Sequence, residues 1–165
     1  MSIELIVLDV DGTLTDGSIT YSEKGDEIKS FNVKDGLAIS SWIKLGRKAA
    51  IITGRYSNVA RKRAKELGIE QFYEGVDDKD AALSELLRAS GLSYENIAII
   101  GDDFNDIPML KKAKISFAPN DAVTYIKELV DVKLNQNGGK GAVREMIEYL
   151  LKHENIEEEF IQLWR

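Results

Sequence analysis

The stretch LIVLDVDGTLTDG, residues 5–17, joins a mostly apolar run to a group of acidic and turn-forming residues. The run ends at Asp9 and Asp11, which one valine separates, and glycine and threonine follow directly. Residues two apart in an extended chain point to the same side, so we predict that both carboxylates project from the carboxyl end of a first strand. Two carboxylates this close repel each other unless a proton or a cation lies between them. Magnesium suits such oxygen ligands, whereas an aspartate-rich turn that binds nothing is the alternative.

Further apolar runs alternate with helical patterns along the rest of the chain. They are rich in Ile, Val or aromatic residues and lack the alternation of half-exposed strands, which indicates strands buried on both faces of a parallel sheet. Together with the first, the predicted strands cover residues 3–8, 48–52, 71–73, 97–100 and 115–117. Helices are predicted at residues 35–45, 58–67, 80–90, 107–112, 121–129 and 142–151. This alternation predicts an α/β fold with a doubly wound parallel sheet.

One segment interrupts the alternation between the first strand and the first helix. Residues 18–22 and 27–33 both have strand character, and the polar turn between them contains Gly25, which predicts a β-hairpin. We call residues 15–33 the flap. The length of 165 residues fits one domain, so we predict a single domain over residues 1–165, with a C-terminal tail from about residue 136 to 165.

Composition and charge argue against several classes of protein. Cysteine is absent, which excludes disulfides and thiolate metal sites. The net charge of −6, from 22 basic and 28 acidic residues, disfavours a nucleic-acid surface, and we interpret the basic run RKRAKE, residues 61–66, as the solvent face of a helix. No apolar run approaches the roughly 20 residues of a membrane span, and Met1 leads into the first strand without the pattern of a secretory signal. We therefore expect a cytoplasmic protein that binds neither nucleic acid nor membrane.

Polar side chains also follow the other predicted strands at the points where they end. The second strand leads into ITGR, residues 52–55, where Thr53 offers a hydroxyl and Gly54 an amide that a ligand can approach closely. Lys79 opens the helix after the third strand, and GDDFND, residues 101–106, follows the fourth. Ligands bind at the carboxyl edge of open α/β sheets, so we expect these groups to converge there with the two aspartates of the first strand.

The ordered set DVDGTLTDG, ITGR, Lys79 and GDDFND resembles the four motifs of the haloacid dehalogenase (HAD) superfamily, over nearly the whole chain. The resemblance implies a Rossmann-like phosphatase fold in which Asp9 is the nucleophile, forming an aspartyl-phosphate, and Asp11 acts as acid and then base. It implies that Thr53 and Lys79 bind phosphoryl oxygens. It also implies that Asp9, Asp11 through its carbonyl, and Asp102 hold Mg²⁺.

These implied roles are chemically consistent. A carboxylate that attacks a phosphate dianion meets like charge, which Mg²⁺ and Lys79 would offset. Covalent capture divides one difficult hydrolysis into two easier steps. Asp103 and Asp106 lie close in sequence to the implied ligand Asp102, so we expect them to orient the metal's surroundings.

Three stretches narrow the resemblance within the superfamily. DGTLTDG with its second aspartate Asp16, FNVKDG at residues 31–36, and NGGKGAVREM at residues 137–146 are similar to the 3-deoxy-D-manno-octulosonate 8-phosphate (KDO 8-phosphate) phosphatases. No cap domain is visible in the sequence, which fits that capless family. The resemblance implies hydrolysis of KDO 8-phosphate to KDO and phosphate, and a homotetramer in which a neighbouring subunit covers the site and the glycine-rich tail reaches an active site.

Several alternatives stay open at this point. Arg55 and Lys34 are candidates to contact a sugar carboxylate, with Gly54 also binding substrate, but surface ion pairing is the other interpretation of the two cations. The tail glycines could equally form a flexible loop. The pair Phe104–Asn105 departs from the expected fourth motif, so a nine-carbon sugar-acid 9-phosphate or another small phosphoester remains an alternative substrate. A non-enzymatic, receiver-like or regulatory domain is the remaining alternative.

The end of the chain carries a helical apolar stripe. Ile156, Phe160, Leu163 and Trp164 fall at helical spacing, so we predict that this segment docks on its own subunit or on a neighbour rather than binding a cofactor. His153, the only histidine, lies at the end of the last long helix. There it can complement the helix dipole, and we expect no catalytic role for it.

Overall fold

The computed structural model describes residues 2–165 and contains one six-stranded parallel sheet with helices on both faces. Numbered along the chain, the strands are β1 (Leu5–Leu8), β2 (Thr20–Tyr21), β3 (Glu27–Ile28), β4 (Lys48–Ile52), β5 (Gln71–Tyr73), β6 (Ile97–Ile100), β7 (Ile115–Ala118) and β8 (Val132–Lys133). The helices are α1 (Val33–Lys44), α2 (Asn58–Leu67), α3 (Lys79–Ser90), α4 (Ile107–Leu110), α5 (Thr124–Leu129), α6 (Ala142–His153) and α7 (Glu157–Gln162). The sheet order is β5-β4-β1-β6-β7-β8, while β2 and β3 pair separately as an antiparallel hairpin.

The continuous apolar runs are explained by burial on both sides of the sheet. Along β1, Leu5 and Val7 face one hydrophobic cluster, which includes side chains of α3, α4 and α5. Ile6 and Leu8 face a second cluster, which includes side chains of α1, α2, α6 and α7. Each fully buried side chain of this size stabilises the fold by about 1.5–3 kcal/mol. Both faces of the central strands must therefore be apolar. The observed sheet, with helices on both faces, confirms the predicted doubly wound parallel sheet.

Local signals place several of the element boundaries, while others, such as the starts of α1 and α5, differ from the prediction by up to three residues. The predicted bounds of β4, β5, β6 and α2 agree with the structure. At the start of α2 the Ser57 hydroxyl accepts a hydrogen bond from the Ala60 amide, and the helix ends at Gly68 in the left-handed conformation, with φ of 84°. The sixth strand, β8, was not predicted because it has only two residues. It is held beside β7 partly by the Asp131 side chain, which accepts a hydrogen bond from the Ser116 amide at 2.8 Å.

The flap contains a shorter hairpin than the sequence predicts. Its strands are two residues each, with Thr20 opposite Ile28 and Tyr21 opposite Glu27, rather than the predicted residues 18–22 and 27–33. The second predicted strand ends early because the FNVKDG run begins α1 instead. The Asn32 side chain accepts hydrogen bonds from the amides of residues 34 and 35 and so caps that helix.

No cap domain is present among residues 2–165. Between β1 and α1 the chain forms the flap, and between β5 and β6 it forms α3 and one short helical turn, Tyr94–Asn96. The fold is thus capless, as predicted. Within the same residues, no helix has both the length and the apolarity needed to cross a bilayer.

The C-terminal stripe packs on its own subunit. Phe160 is buried in the cluster shared with α1 and α6. The Trp164 indole donates a hydrogen bond to the Ser41 hydroxyl of α1 at 3.2 Å, and the Lys44 ammonium lies 4.9 Å from the centre of the Trp164 ring. His153 ends α6 and stacks on Tyr149, away from the carboxyl edge of the sheet. This segment therefore covers part of the outer face of α1.

Candidate active site

The segments that follow the carboxyl ends of β1, β4 and β6 line one polar cavity of about 170 Å³. It is lined by Asp9, Asp11, Thr53, Gly54, Arg55, Asp102, Asp103 and Asn105. The first two strands end directly at Asp9 and Thr53, and both of these side chains are buried. The convergence expected from parallel topology is therefore present for the residues predicted at these strand ends.

A tight turn after β1 brings its two aspartates into this cavity. Asp9 is extended, and the chain then reverses through Gly12, whose φ is 90°. This conformation favours glycine. A Cβ at Gly12 would also collide with the carboxylate of Asp102. The glycine of the DxDG sequence therefore lets the backbone after β1 pass directly beside the acidic group that follows β6.

Three carboxylates form a compact acidic group, and two of them, Asp9 and Asp102, line the cavity. Asp9, Asp102 and Asp106 each offer an oxygen, and these oxygens lie within 4.8 Å of one another. Burial, with the negative charge of its neighbours, raises the pKa of both Asp9 and Asp102. A divalent cation with oxygen preference would relieve this repulsion, so the donor set fits Mg²⁺.

Lys79 lies between two of these carboxylates and is almost completely buried. Its Nζ is 2.9 Å from Asp9 Oδ1 and 2.6 Å from Asp106 Oδ1, and its side chain is 1% exposed. Burial alone would lower the pKa of Lys79, but the charges of the two aspartates outweigh it and raise the pKa. Lys79 is therefore a fixed positive charge next to Asp9.

Asp106 holds both Lys79 and the loop after β6, which its position in the sequence does not indicate. Its Oδ1 contacts Lys79, and its Oδ2 accepts hydrogen bonds from the backbone amides of Asp102, at 2.9 Å, and Asp103, at 3.3 Å. Because both oxygens already have partners, we assign Asp106 to positioning Lys79 and the Asp102 loop. Of the acidic group, this leaves Asp9 and Asp102 for the cation.

The flap supplies charged residues that sequence reasoning did not select. Lys29 Nζ lies 2.5 Å from Asp11 Oδ1. Glu27 accepts hydrogen bonds from the Ser57 hydroxyl at 2.6 Å and from Arg55 Nη2 at 3.1 Å. One signal was available, because Glu27 and Lys29 are two apart and therefore point to the same face of a flap strand. That face is turned toward the cavity.

The structure does not bring Lys34 to this cavity. It lines a separate cavity of about 460 Å³, between the beginnings of α1 and α6. The reason is local, since Asn32 caps α1 and leaves Lys34 exposed in its first turn. The next residue, Asp35, points inward and accepts a hydrogen bond from the Arg144 amide at the start of α6, at 2.8 Å. The contacts of this chain give no support to a role for Lys34 at the site.

The glycines of the tail are closely packed against the turn after β1. The Gly139 amide donates a hydrogen bond to the Thr13 carbonyl at 3.0 Å. A Cβ at Gly138 would collide with the carbonyl oxygen of Gly12. The absence of side chains thus permits two backbone segments to touch, and the tail supports the turn that carries Asp11 rather than forming a free loop.

Comparison with known proteins defines the class and then the family. The family model of haloacid dehalogenase-like hydrolases matches residues 72–147. The 3-deoxy-D-manno-octulosonate 8-phosphate phosphatase of Haemophilus influenzae is 41% identical over 151 residues, which cover 92% of this chain and 84% of the relative. That of Escherichia coli strain K12 is 40% identical over 150 residues, covering 91% and 80% respectively.

Solved structures of such phosphatases have the same fold. The Moraxella catarrhalis enzyme, crystallised in complex with a magnesium ion, a phosphate ion and a KDO molecule, superposes with a TM-score of 0.95 at 39% identity, covering 99% of this chain and 94% of that one. The Yersinia pestis enzyme gives a TM-score of 0.92 at 38% identity, covering 94% and 84%. The chain therefore belongs to the 3-deoxy-D-manno-octulosonate 8-phosphate phosphatase family of the HAD-like hydrolases.

Proposed function

We propose that this protein is a Mg²⁺-dependent phosphatase that hydrolyses KDO 8-phosphate to KDO and phosphate through an aspartyl-phosphate on Asp9. The observation that carries the proposal is the single cavity in which Asp9, Asp11, Arg55 and Asp102 meet, with Lys79 against Asp9. The family relationship supports the choice of substrate.

The proposed reaction has two steps, and each uses an aspartate of the turn after β1. In the first, a carboxylate oxygen of Asp9 attacks phosphorus, the bond to the sugar oxygen breaks, and Asp11 gives that oxygen a proton. In the second, Asp11 takes a proton from water, which attacks phosphorus and releases phosphate and free Asp9. Lys79 and Thr53 bind phosphoryl oxygens throughout.

The cation would be held by Asp9, Asp102 and the carbonyl oxygen of Asp11. When bound, Mg²⁺ supplies positive charge that offsets the repulsion between a carboxylate and a phosphate dianion. The buried acidic group fits this use, because two of its members, Asp9 and Asp102, have raised pKa values in the absence of such a charge.

Phosphate release from a panel of substrates tests the proposed function. We expect turnover of KDO 8-phosphate in Mg²⁺, with activity lost in EDTA and restored by added Mg²⁺. Preference for a nine-carbon sugar-acid 9-phosphate would instead support the alternative substrate. Turnover of simple phosphoesters together with failure of both sugar-acid phosphates would contradict the assignment.

Arg55 and Gly54 are the proposed contacts for the substrate beyond the phosphate. Arg55 lies at the mouth of the cavity with 42% of its side chain exposed, and Glu27 holds its Nη2 at 3.1 Å. A guanidinium presents a planar fork that matches a carboxylate, so Arg55 suits the carboxylate of a sugar acid. Gly54 lines the same cavity directly before Arg55.

Replacement of Arg55 by alanine should weaken use of the sugar acid selectively. Loss of a charged hydrogen bond costs about 1.5–3 kcal/mol, so KM for KDO 8-phosphate should rise about 10- to 100-fold, and by less for p-nitrophenyl phosphate, which has no carboxylate. The matched control is Arg61→Ala, because Arg61 pairs with Glu74 outside the cavity. Equal changes for the two substrates would argue against a carboxylate contact.

We also propose a homotetramer that acts in the cytoplasm, with residues 1–165 forming one domain. The tetramer is supported by apolar side chains that the flap leaves in solvent, since Ile19, Tyr21 and Ile28 are 46%, 58% and 49% exposed. Light scattering should give a mass near four times that of the 18.4 kDa chain, and the mass of one chain would contradict the tetramer. Cell fractionation tests the location.

A further inference from the structure

Lys29 reaches from the flap to the carboxylate that the proposed reaction uses for proton transfer. Its Nζ lies 2.5 Å from Asp11 Oδ1, and its side chain is 1% exposed. Resting on the proposed function, we propose that Lys29 is a positioning residue, which orients the Asp11 carboxylate toward the leaving oxygen of the substrate. Through this one side chain, the flap acts on the active site of its own subunit.

The contact between Lys29 and Asp11 differs from a surface ion pair, because the lysine side chain is buried. Lysine is rarely buried so completely, and burying its charge is costly unless partners compensate. Here Asp11 and Glu27 compensate, the second at 3.7 Å. Glu27 in turn accepts hydrogen bonds from Ser57 and Arg55, which follow β4. The flap strand that precedes Lys29 is thus fixed to the rim of the cavity.

Asp11 needs such a partner more than Asp9 does. Asp9 is held by Lys79 in a buried position, whereas the Asp11 side chain is 22% exposed and follows the end of β1 in a turn. A carboxylate in that position has fewer packing restraints on its rotamer than the buried carboxylate of Asp9. Proton transfer requires it within hydrogen-bonding distance of the leaving oxygen, and a shift of about 1 Å can cost about 100-fold in rate.

The geometry also indicates which oxygen of Asp11 faces the substrate. Lys29 engages Oδ1, and Oδ2 lies 3.9 Å from Arg55 Nε, at the cavity mouth. With Oδ1 held from the flap side, Oδ2 stays on the side where Arg55 would contact the sugar acid. Direct substrate binding by Lys29 is disfavoured, because its ammonium is enclosed by the two acidic partners.

The test compares leaving groups in the full-length protein with Mg²⁺ present. The sugar alkoxide of KDO 8-phosphate needs a proton to depart, whereas p-nitrophenolate leaves as a stable anion. We expect Lys29→Met to lower kcat/KM for KDO 8-phosphate, which reports the first step and not the later hydrolysis, about 10- to 100-fold, and to lower kcat/KM for p-nitrophenyl phosphate at least about tenfold less. Lys29→Arg should recover part of the loss, and the control Lys24→Met, at the exposed tip of the same hairpin, should match wild type.

Variants of Asp11 separate this proposal from the function on which it rests. Asp11→Asn should show the same dependence on the leaving group, and Lys29→Met should add no further loss in that background. If Asp11→Asn lowers kcat/KM equally for both substrates, the acid role of Asp11 is wrong and the proposal falls with it. If Asp11→Asn lowers kcat/KM selectively for KDO 8-phosphate but Lys29→Met lowers it equally for both substrates or for neither, only the role of Lys29 is overturned. Lys29→Gln, with circular dichroism of every variant, covers the case in which the methionine variant does not fold.

Discussion

The Asp9→Asn variant is expected to fold and to bind substrate but to lose turnover of KDO 8-phosphate by at least about 10⁴-fold, the order that removal of a nucleophile costs in other enzymes. Asparagine has the shape of aspartate, but its amide cannot form the acyl-phosphate. The free energy of unfolding should change little. Burial raises the pKa of Asp9, which means that keeping its carboxylate ionised costs the folded state free energy that the neutral asparagine does not cost. Phosphate release measures the first effect and thermal unfolding the second.

A control variant and a second measurement make this result specific to the nucleophile. Asp77→Asn is a matched control, because Asp77 is exposed and does not line the cavity. Intact-mass spectrometry of quenched reactions should find a phosphorylated form of the wild type and none of Asp9→Asn. Substantial turnover by a verified Asp9→Asn protein would remove Asp9 from the proposed role and leave the mechanism without its first step.

The sheet and the placement of the site could be predicted because both depend on local patterns. Strands such as β1 and β6 must be apolar at every position, since both of their faces are covered by helices. Parallel topology then brings every strand end to one edge, so Asp9, Thr53 and Asp102 had to be neighbours if the strands were right. Their spacing in sequence carries no such information without that topology.

Contacts between segments far apart in sequence could not be predicted in the same way. The contact of Lys29 with Asp11 depends on how the flap folds back, which Glu27 fixes through Ser57 and Arg55. No periodicity in the sequence encodes that orientation. The two-residue strand β8 was missed for the same reason, because it forms only where the edge of β7 accepts it.

The role of Asp106 at the centre of the site could not be predicted from the sequence either. Sequence places Asp102, Asp103 and Asp106 within five residues and cannot distinguish a cation ligand from a supporting residue. The distinction arises because the short helical turn Phe104–Asp106 directs Asp106 back to two backbone amides and to Lys79. The buried pair of Lys79 and Asp106 is therefore a feature of the folded chain that can be tested separately from the nucleophile.

Replacement of Lys79 by methionine should reduce both stability and activity. Methionine retains much of the apolar length of lysine but leaves Asp106, which is 0% exposed, without its cationic partner. Breaking a buried ion pair in this way costs about 3–5 kcal/mol in the free energy of unfolding. Turnover should fall about 10²- to 10³-fold, because in the proposed mechanism one positive charge near the transferred phosphoryl group is lost. Urea denaturation and phosphate release measure the two effects.

The dependence on pH follows from the raised pKa of Lys79. Its stabilising effect is fully present below the unfolded-state pKa of lysine, about 10.4, and is lost only as the pH rises through the higher folded-state value. The stability difference between wild type and Lys79→Met due to this group should thus persist throughout the neutral range. Lys112→Met is the matched control, because Lys112 pairs with Asp80 at a similar distance, 2.6 Å, while 40% of its side chain is exposed. If the two variants lose the same stability, the Lys79 pair does not behave as a buried charge, and the electrostatic account of the site is wrong.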